Sequence, residues 1–402
     1  MLFCVTVIHA QPMSCLVADV ESGYIFRKEN SDLPLPPASL AKVMTLYLTF
    51  SALDKGWLKM DSPLPISEWA ASQEPSNLEL IPGDTITVRE AILALIVKSA
   101  NDVAVVLAES LAPTERDFAE MMTQAAAQLG MYRTVFRNAS GLHDPEQFSC
   151  AQDMAILTLA TIRNFPQYYP LFSSQAFSYH GKEYRTHNHV LLDYDGAEGF
   201  KTGYISAVGY NIISTAQKQG NRLVGIVMGD QTAKQRDTYV KALLDDGFKK
   251  AKRQKNAVAK GIIQPAFNPL QRRALVNKLN MDVFAPVMKK RAQKAISLGQ
   301  KLQKSTHKSY VIETPHWAQN TNSNWAIQIG AFSSQEKALS MANRALLLLP
   351  NKNYAVQTQR KDAMIYRSRL TGFSSKQQAQ HACNILENKK YSCFVLTSQG
   401  DK

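Results

Sequence analysis

Along residues 14–29 the apolar and polar positions fall into two short strand-like runs, SCLVADV and GYIFRKE, either side of the turn ESG, which predicts a hairpin. Pro36 and Pro37 stop any earlier helix. From Ala38 the period changes, with Leu40, Val43, Met44, Tyr47 and Leu48 recurring every three to four residues, so Ser39 is expected to open a helix. The same spacing predicts helices over 88–110, 115–129 and 151–163. GYNIISTAQ and RLVGIVMGD read as paired strands joined by KQGN, followed by a helix over 233–247. A sheet with helices before, between and after its strands describes an α+β, three-layer domain spanning residues 11–250.

The tail carries an internal repeat. GAFSSQEKA (330–338) matches TGFSSKQQA (371–379), and each copy leaves a strand, passes a turn of small residues and enters a helix. Each offers a capping box, Ser333 with Glu336 and Ser374 with Gln377. With strands expected near 354–358 and 391–396, the order is βαββαβ, a small ferredoxin-like domain over 323–398.

Composition changes this picture in two places. The net charge of +13 is local: residues 251–320 hold fourteen Lys and Arg against Asp282 and Glu313. That composition reads as a solvated basic linker over 251–322, attractive to a polyanion or, through VMKKRAQKAISLGQKL, to a membrane surface. The first ten residues, MLFCVTVIHA, are largely apolar and end in a small residue, as the back half of an export signal does, although no basic front precedes them. Cys15 and Cys150 stand alone in apolar surroundings and read as small core residues, whereas Cys383 and Cys393 have a spacing that a disulfide can close in an oxidising compartment.

Candidate chemistry centres on three short motifs. Ser39 and Lys42 lie at i and i+3 on one helix face, so the amine can reach the hydroxyl. Ser99-Ala-Asn101 is the one SxN in the chain, and Lys201-Thr202-Gly203 the one KTG. Each is weak alone; together, in this order, they are specific. Lys42 serves as base for Ser39 if desolvation and the Lys201 cation depress its pKa. Ser99 can relay a proton to a leaving amine, and Asn101 can hold Lys42 and a substrate amide. Gly203 removes a side chain from an edge strand, leaving room for an extended peptide. The backbone N–H groups of Ser39 and Tyr204 are expected to form an oxyanion hole, with Lys201, Thr202 and Arg236 binding a terminal carboxylate.

With VADVESGYIFRKENSDLPLPPASLAKVMT, LIVKSANDVAVVLAE, NASGLHDPEQFSCAQDMA, NHVLLDYDGAEGFKTGYISAVGYN and DQTAKQRD, the first domain resembles the D-alanyl-D-alanine carboxypeptidases among the low-molecular-mass penicillin-binding proteins. The resemblance implies a β-lactamase/transpeptidase-like fold and removal of the terminal D-alanine from peptidoglycan stem pentapeptides through an acyl-enzyme on Ser39. It further implies β-lactams as covalent inhibitors, a periplasmic or cell-envelope location, no metal or other cofactor, and no nucleic-acid partner. Cys150 stands where the family usually has Ser or Thr, and the family's second, mainly β domain is not evident. WAIQIGAFSS and YRSRLTGFSS resemble SPOR domains, which bind glycan strands; this implies sugar contacts at Gln328, Tyr366 and Arg367, a Cys383–Cys393 disulfide, and a place with the division machinery at the septum. Three rivals remain. A β-lactamase shares the motifs, but no glutamate between Ser99 and Lys201 is followed four residues later by asparagine, as its deacylating loop requires. An endopeptidase cutting cross-links and a vestigial wall-binding protein complete the set.

Overall fold

A computed structural model describes residues 13–259, 279–307 and, with short breaks, 325–397; the expected export signal at 1–10 lies outside them. Two compact units divide the chain, Met1–Lys308 and Ser309–Lys402.

The first unit is built on a five-stranded antiparallel sheet. Its strands are β1 (Ser14–Asp19), β2 (Ile25–Glu29), β7 (Ala197–Ile205), β8 (Gly209–Lys218) and β9 (Asn221–Asp230), in the order β2-β1-β9-β8-β7. Two small two-stranded antiparallel sheets lie outside this sheet, one of β3 (Pro63–Pro65) with β4 (Thr85–Thr87), the other of β5 (Ala176–Tyr179) with β6 (Lys182–Arg185). Both faces of the main sheet are covered, and β1 shows how: Cys15 and Val17 point to one side, Leu16 and Ala18 to the other, and all four are buried. The first pair joins Ile212, Val227, Val240, Leu243 and Leu244 in the layer closed by helix α8 (Ala233–Ala259). The second pair joins the larger core formed by α1 (Lys42–Asp54), α4 (Asn101–Leu111), α5 (Glu115–Leu129) and α6 (Ala151–Asn164). Alternation at period two therefore feeds two cores from one strand, which gives the expected three layers.

Three short helices, α2 (Glu68–Ala71), α3 (Val88–Leu93) and α7 (His189–Asp193), and the longer α9 (Ala285–His307) also belong to the unit. Every residue from Lys42 to Leu53 in α1 is buried, so this helix runs through the core. Ser39 does not open the α-helix as expected; it sits one turn earlier, in a 3-10 turn over Ala38–Ala41. The helix expected over 88–110 is broken. A π-helical turn over Ala94–Lys98 ends at Ser99, which takes a left-handed conformation with φ +61°, and α4 starts afresh at Asn101. π-Helical turns of this kind are frequent at functional sites.

The basic segment departs from the connector reading. Residues 279–307 begin with a 3-10 turn and continue as α9, which packs on β3 and α4. Met288, Ala292, Ala295 and Gly299, at i, i+4, i+7 and i+11, form its buried stripe, and Arg291 Nη2 donates to the carbonyl of Glu109 at 2.6 Å. Val287 and Leu298 stay exposed, so the apolar residues of a surface anchor are split between core and water. Residues 260–278 and 308–322 lie outside the described residues.

The second unit is a four-stranded antiparallel sheet of β10 (Trp325–Phe332), β11 (Ala355–Asp362), β12 (Ile365–Phe373) and β13 (Phe394–Thr397), in the order β11-β12-β10-β13. Helix α10 (Lys376–Asn388) and a helical stretch within 338–348 complete the expected βαββαβ order. Ile327, Ile329, Leu370, Ala379, Ala382 and Leu386 share its core, and Cys383 is bonded to Cys393, as the resemblance implied. The second capping box is shifted by one residue: Gln378 N donates to Ser375 Oγ at 3.1 Å, while Ser374 N donates to Gln378 Oε1 at 2.8 Å. The first box, Ser333 with Glu336, lies outside the described residues.

A test of α9 as part of the fold follows from Gly299, where a Cβ would overlap the Pro63 carbonyl. Alanine gains ~1 kcal/mol of helix propensity over glycine, but overpacking against backbone costs ~1–3 kcal/mol. Gly299→Ala should therefore lower the Tm of the full chain, whereas Leu298→Ala on the exposed face should leave it nearly unchanged; thermal unfolding of both variants decides.

Candidate active site

The start of α1, the start of α4 and the edge strand β7 meet at Ser39. Lys42 is completely buried, and its Nζ makes three contacts: Ser39 Oγ at 3.0 Å, Asn101 Oδ1 at 2.7 Å and the Ser140 carbonyl at 2.6 Å. Burial, reinforced by the neighbouring Lys201 cation and opposed by Asp102, holds the Lys42 amine well below the ordinary lysine pKa. A neutral amine has two N–H donors and one lone pair. The two carbonyl oxygens take the donors, so the lone pair is left to accept the Ser39 hydroxyl proton. This is the geometry of a nucleophile with its base.

Lys201 is also buried. Its Nζ donates to Ser99 Oγ at 2.9 Å and to the Thr202 carbonyl at 2.8 Å, and burial together with Arg236 pushes its pKa down to about 7. Ser99 thus links the second lysine to the cleft at the point where the helix breaks. Asn101 is tied down at its other end, Nδ2 donating to the Glu74 carbonyl at 2.8 Å. Asp102, beside it, accepts backbone N–H bonds from Leu78 and Leu80 and fixes the loop that passes over α4.

The nucleophile's turn is held from three sides. Ala38 has φ +49°, and a Cβ on Gly141 would overlap its carbonyl. Gly203 lies so close that a Cβ would stand 3.1 Å from Ser39 N and 3.2 Å from Ala38 Cβ. The space a side chain would fill at Gly203 is therefore taken by the nucleophile's own turn, a tighter reason for glycine than room for a peptide. Asn211 on β8 donates from Nδ2 to the carbonyls of Pro36 and Pro37, each at 3.1 Å, and accepts from Gly229 N at 2.9 Å.

The structure brings together Ser39, Lys42, Ser99, Asn101, Lys201, Thr202 and Gly203. Tyr204 follows on β7 with its ring exposed, 4.5 Å from that of Tyr210. Arg236 is buried, with Nε and Nη2 on Asp237 and Nη1 on the Asn211 carbonyl, so in this state its bonds go to the protein and its charge acts on Lys201. Cys150 is the N-cap residue of α6, and burial with the nearby Asp153 raises its thiol to about 12; an unreactive thiol fits a packing residue. Ser140, Gly141, His187 and Asn211 carry parts of the site without having been singled out by sequence, although NASGLHD and the stretch before KTG contain three of them. In the second unit, Gln328 pairs with Arg369, whose Nε and Nη2 lie 3.4 Å from Gln328 Oε1. Strand alternation places Arg367 with Arg369, and Tyr366 with Ser368 and Leu370 on the other parity, so the three expected sugar contacts do not share one face.

Known proteins resemble both parts of the chain. Residues 5–232 match the family model described as D-alanyl-D-alanine carboxypeptidase, and residues 321–397 match that of the SPOR domain. The chain is similar to the D-alanyl-D-alanine carboxypeptidases DacF of Bacillus subtilis (strain 168), 32% identical over 58% of this chain and 61% of the relative, and DacA of Haemophilus influenzae, 34% identical over 62% and 64%. It thus spans less than two thirds of the length of these relatives. Among solved structures, penicillin binding protein 5 from Haemophilus influenzae superposes with a TM-score of 0.57 at 34% identity over 58% of this chain and 70% of that one. Penicillin-Binding Protein D2 from Listeria monocytogenes in its ampicillin-bound form gives 0.51 at 30% identity, over 58% and 96%.

Replacing Asn211 tests the clamp. Asn211→Leu keeps the volume but strips the Pro36 and Pro37 carbonyls and Gly229 N of their partner, and stranded buried groups cost ~1–3 kcal/mol each. A loss of about 2–4 kcal/mol in denaturant unfolding is expected, with slower labelling of Ser39 by a penicillin.

Proposed function

Because the chain belongs to the D-alanyl-D-alanine carboxypeptidase family, we propose that it is a serine peptidase that removes the terminal D-alanine from peptidoglycan stem pentapeptides. The observation that carries the reading is the Lys42 amine, buried, bonded to two carbonyl oxygens and directed at Ser39 Oγ. Ser39 Oγ attacks the carbonyl of the penultimate D-alanine and its proton passes to Lys42 Nζ. The oxyanion is received by the backbone N–H groups of Ser39 and Tyr204, a role supported by the close approach of β7 to Ser39 N. Ser99, held by Lys201, gives its hydroxyl proton to the D-alanine amine as the C–N bond breaks and is reprotonated by the proton that Lys42 took from Ser39; neutral Lys42 then takes a proton from the water that attacks the ester and returns it to Ser39 Oγ as the acyl group leaves. Lys201 and Thr202 hold the terminal carboxylate, with Arg236 supporting from behind. β-Lactams enter by the same acylation. The SPOR-like tail binds glycan strands and keeps the enzyme in the envelope where wall is being remodelled, the division septum included.

D-Ala release from soluble pentapeptide muropeptides, with cross-linked dimers in parallel, tests the reading. Release should be lost in Ser39→Ala, and dimers should remain uncut; cleavage of dimers instead identifies an endopeptidase. No reaction with either sinks the catalytic reading.

The pH profile is a second test. Lys42 must be neutral to take a proton, so kcat/KM rises as pH climbs through its depressed pKa. Lys201 must be charged to hold a carboxylate, so kcat/KM falls again above about 7. Bound carboxylate favours the charged form and moves the alkaline limb of kcat upward. Lys201→Arg should abolish the alkaline limb while keeping the acidic one.

Deleting 323–402 should spare activity on soluble substrate and abolish septal enrichment of a fluorescent fusion.

A further inference from the structure

We propose that His187 is a positioning residue that sets the direction of the Thr202 hydroxyl and thereby the enzyme's preference for ligands carrying a free carboxylate. The inference rests on the acyl-transfer reading above.

His187 lies between β6 and α7, on the segment that borders β7 beside Lys201 and Thr202. Its Nε2 is 3.0 Å from Thr202 Oγ1. Thr202 is buried, while the histidine keeps an exposed surface, so the imidazole stands at the rim with one nitrogen turned inward. The same cleft is lined by Thr186, Asn188, Phe200 and Lys201. Asn188, next in sequence, caps α7 by accepting from Leu191 N at 3.3 Å, which fixes the backbone that carries the ring.

A threonine hydroxyl has one hydrogen and can aim it at only one acceptor. If Nε2 accepts that hydrogen, the hydroxyl offers a carboxylate nothing but lone pairs. If Nε2 carries the hydrogen and donates it, the Thr202 O–H is released to donate toward the place where Lys201 also presents its charge. A carboxylate ligand therefore selects the Nε2–H tautomer, and a neutral ring is needed for a tautomer choice to exist. Desolvation, reinforced by the charges of Lys201, Arg236 and Lys98, presses the ring toward neutrality. A directed hydroxyl gives a charge-assisted bond to a carboxylate and no comparable bond to an ester.

The experiment compares acylation of the full chain by a penicillin with acylation by its methyl ester, in wild type, His187→Phe and His187→Gln. Phenylalanine keeps a ring and loses the nitrogen; glutamine restores a donor. His187→Phe should slow the carboxylate ligand about tenfold, leave the ester within about twofold, and so collapse the acid-over-ester ratio. His187→Gln should recover most of it, and in a Thr202→Val background His187→Phe should add nothing further. Equal slowing of both ligands, an unchanged ratio, or no recovery in His187→Gln overturns the inference. A wild-type protein that reacts with neither ligand overturns the acyl-transfer reading and this inference with it, an outcome distinct from an active enzyme whose ratio ignores His187.

Discussion

A lysine amine placed where water cannot reach it is the constraint around which the first unit is arranged. Desolvating an ammonium is costly, and that cost pushes Lys42 toward its neutral form, with Lys201 nearby to push in the same direction. Neutrality alone does not make a base. The amine needs its two hydrogens spoken for, which is why Asn101 Oδ1 and the Ser140 carbonyl matter as much as the serine itself. Three chain segments, at Ser39, Asn101 and Ser140, are thereby pinned to a single nitrogen, and the fold has to deliver all three to within hydrogen-bond distance.

That delivery is visible as strain and close packing. Ala38 and Ser99 both adopt left-handed backbone conformations, which cost non-glycine residues ~1–2 kcal/mol each, and both flank the reacting groups. Gly141 and Gly203 are the complementary devices, since the absence of a Cβ at each lets backbone approach the nucleophile's turn. Asn211 then ties that turn to the centre of the sheet through its carbonyls. The second lysine is positioned by the same sheet, because β7 is the edge strand next to Asn211's own strand. The cleft is thus a property of the sheet edge and two helix starts together.

Much of this was legible in the sequence, for reasons that can be named. Motif residues whose side chains meet, Ser39, Lys42, Ser99, Asn101 and Lys201, were found because chemistry restricts their identity and order. The strands of the hairpin and the paired strands at 209–230 were legible from alternation, and the tail from its repeat. Residues that act through backbone or through a second residue left no such mark. Ser140 contributes a carbonyl that any amino acid has, and Asn211 and His187 are common polar residues whose meaning lies in what they touch. The helix break at Ser99 was hidden because the apolar period runs on through it: Leu95, Ile96, Val97, Val103 and Val106 are all buried on either side.

The basic segment shows the opposite error, a strong signal read as the wrong thing. The six Lys and Arg of residues 285–307, with no Asp or Glu among them, make the segment look wholly solvent-facing and say nothing about a second face. In α9 that other face is made of Met288 and small residues, Ala292, Ala295 and Gly299, which score weakly on any hydrophobicity count yet permit a close approach to β3. Small residues bury little area each, so docking depends on shape, and a single Cβ at Gly299 is enough to oppose it. The same logic applies to the tail strand β12, where Tyr366 and Arg367 look equivalent as exposed polar and aromatic neighbours. Their adjacency in sequence guarantees opposite faces in a strand, so Arg367 shares its face with Arg369 and Gln328, and Tyr366 does not.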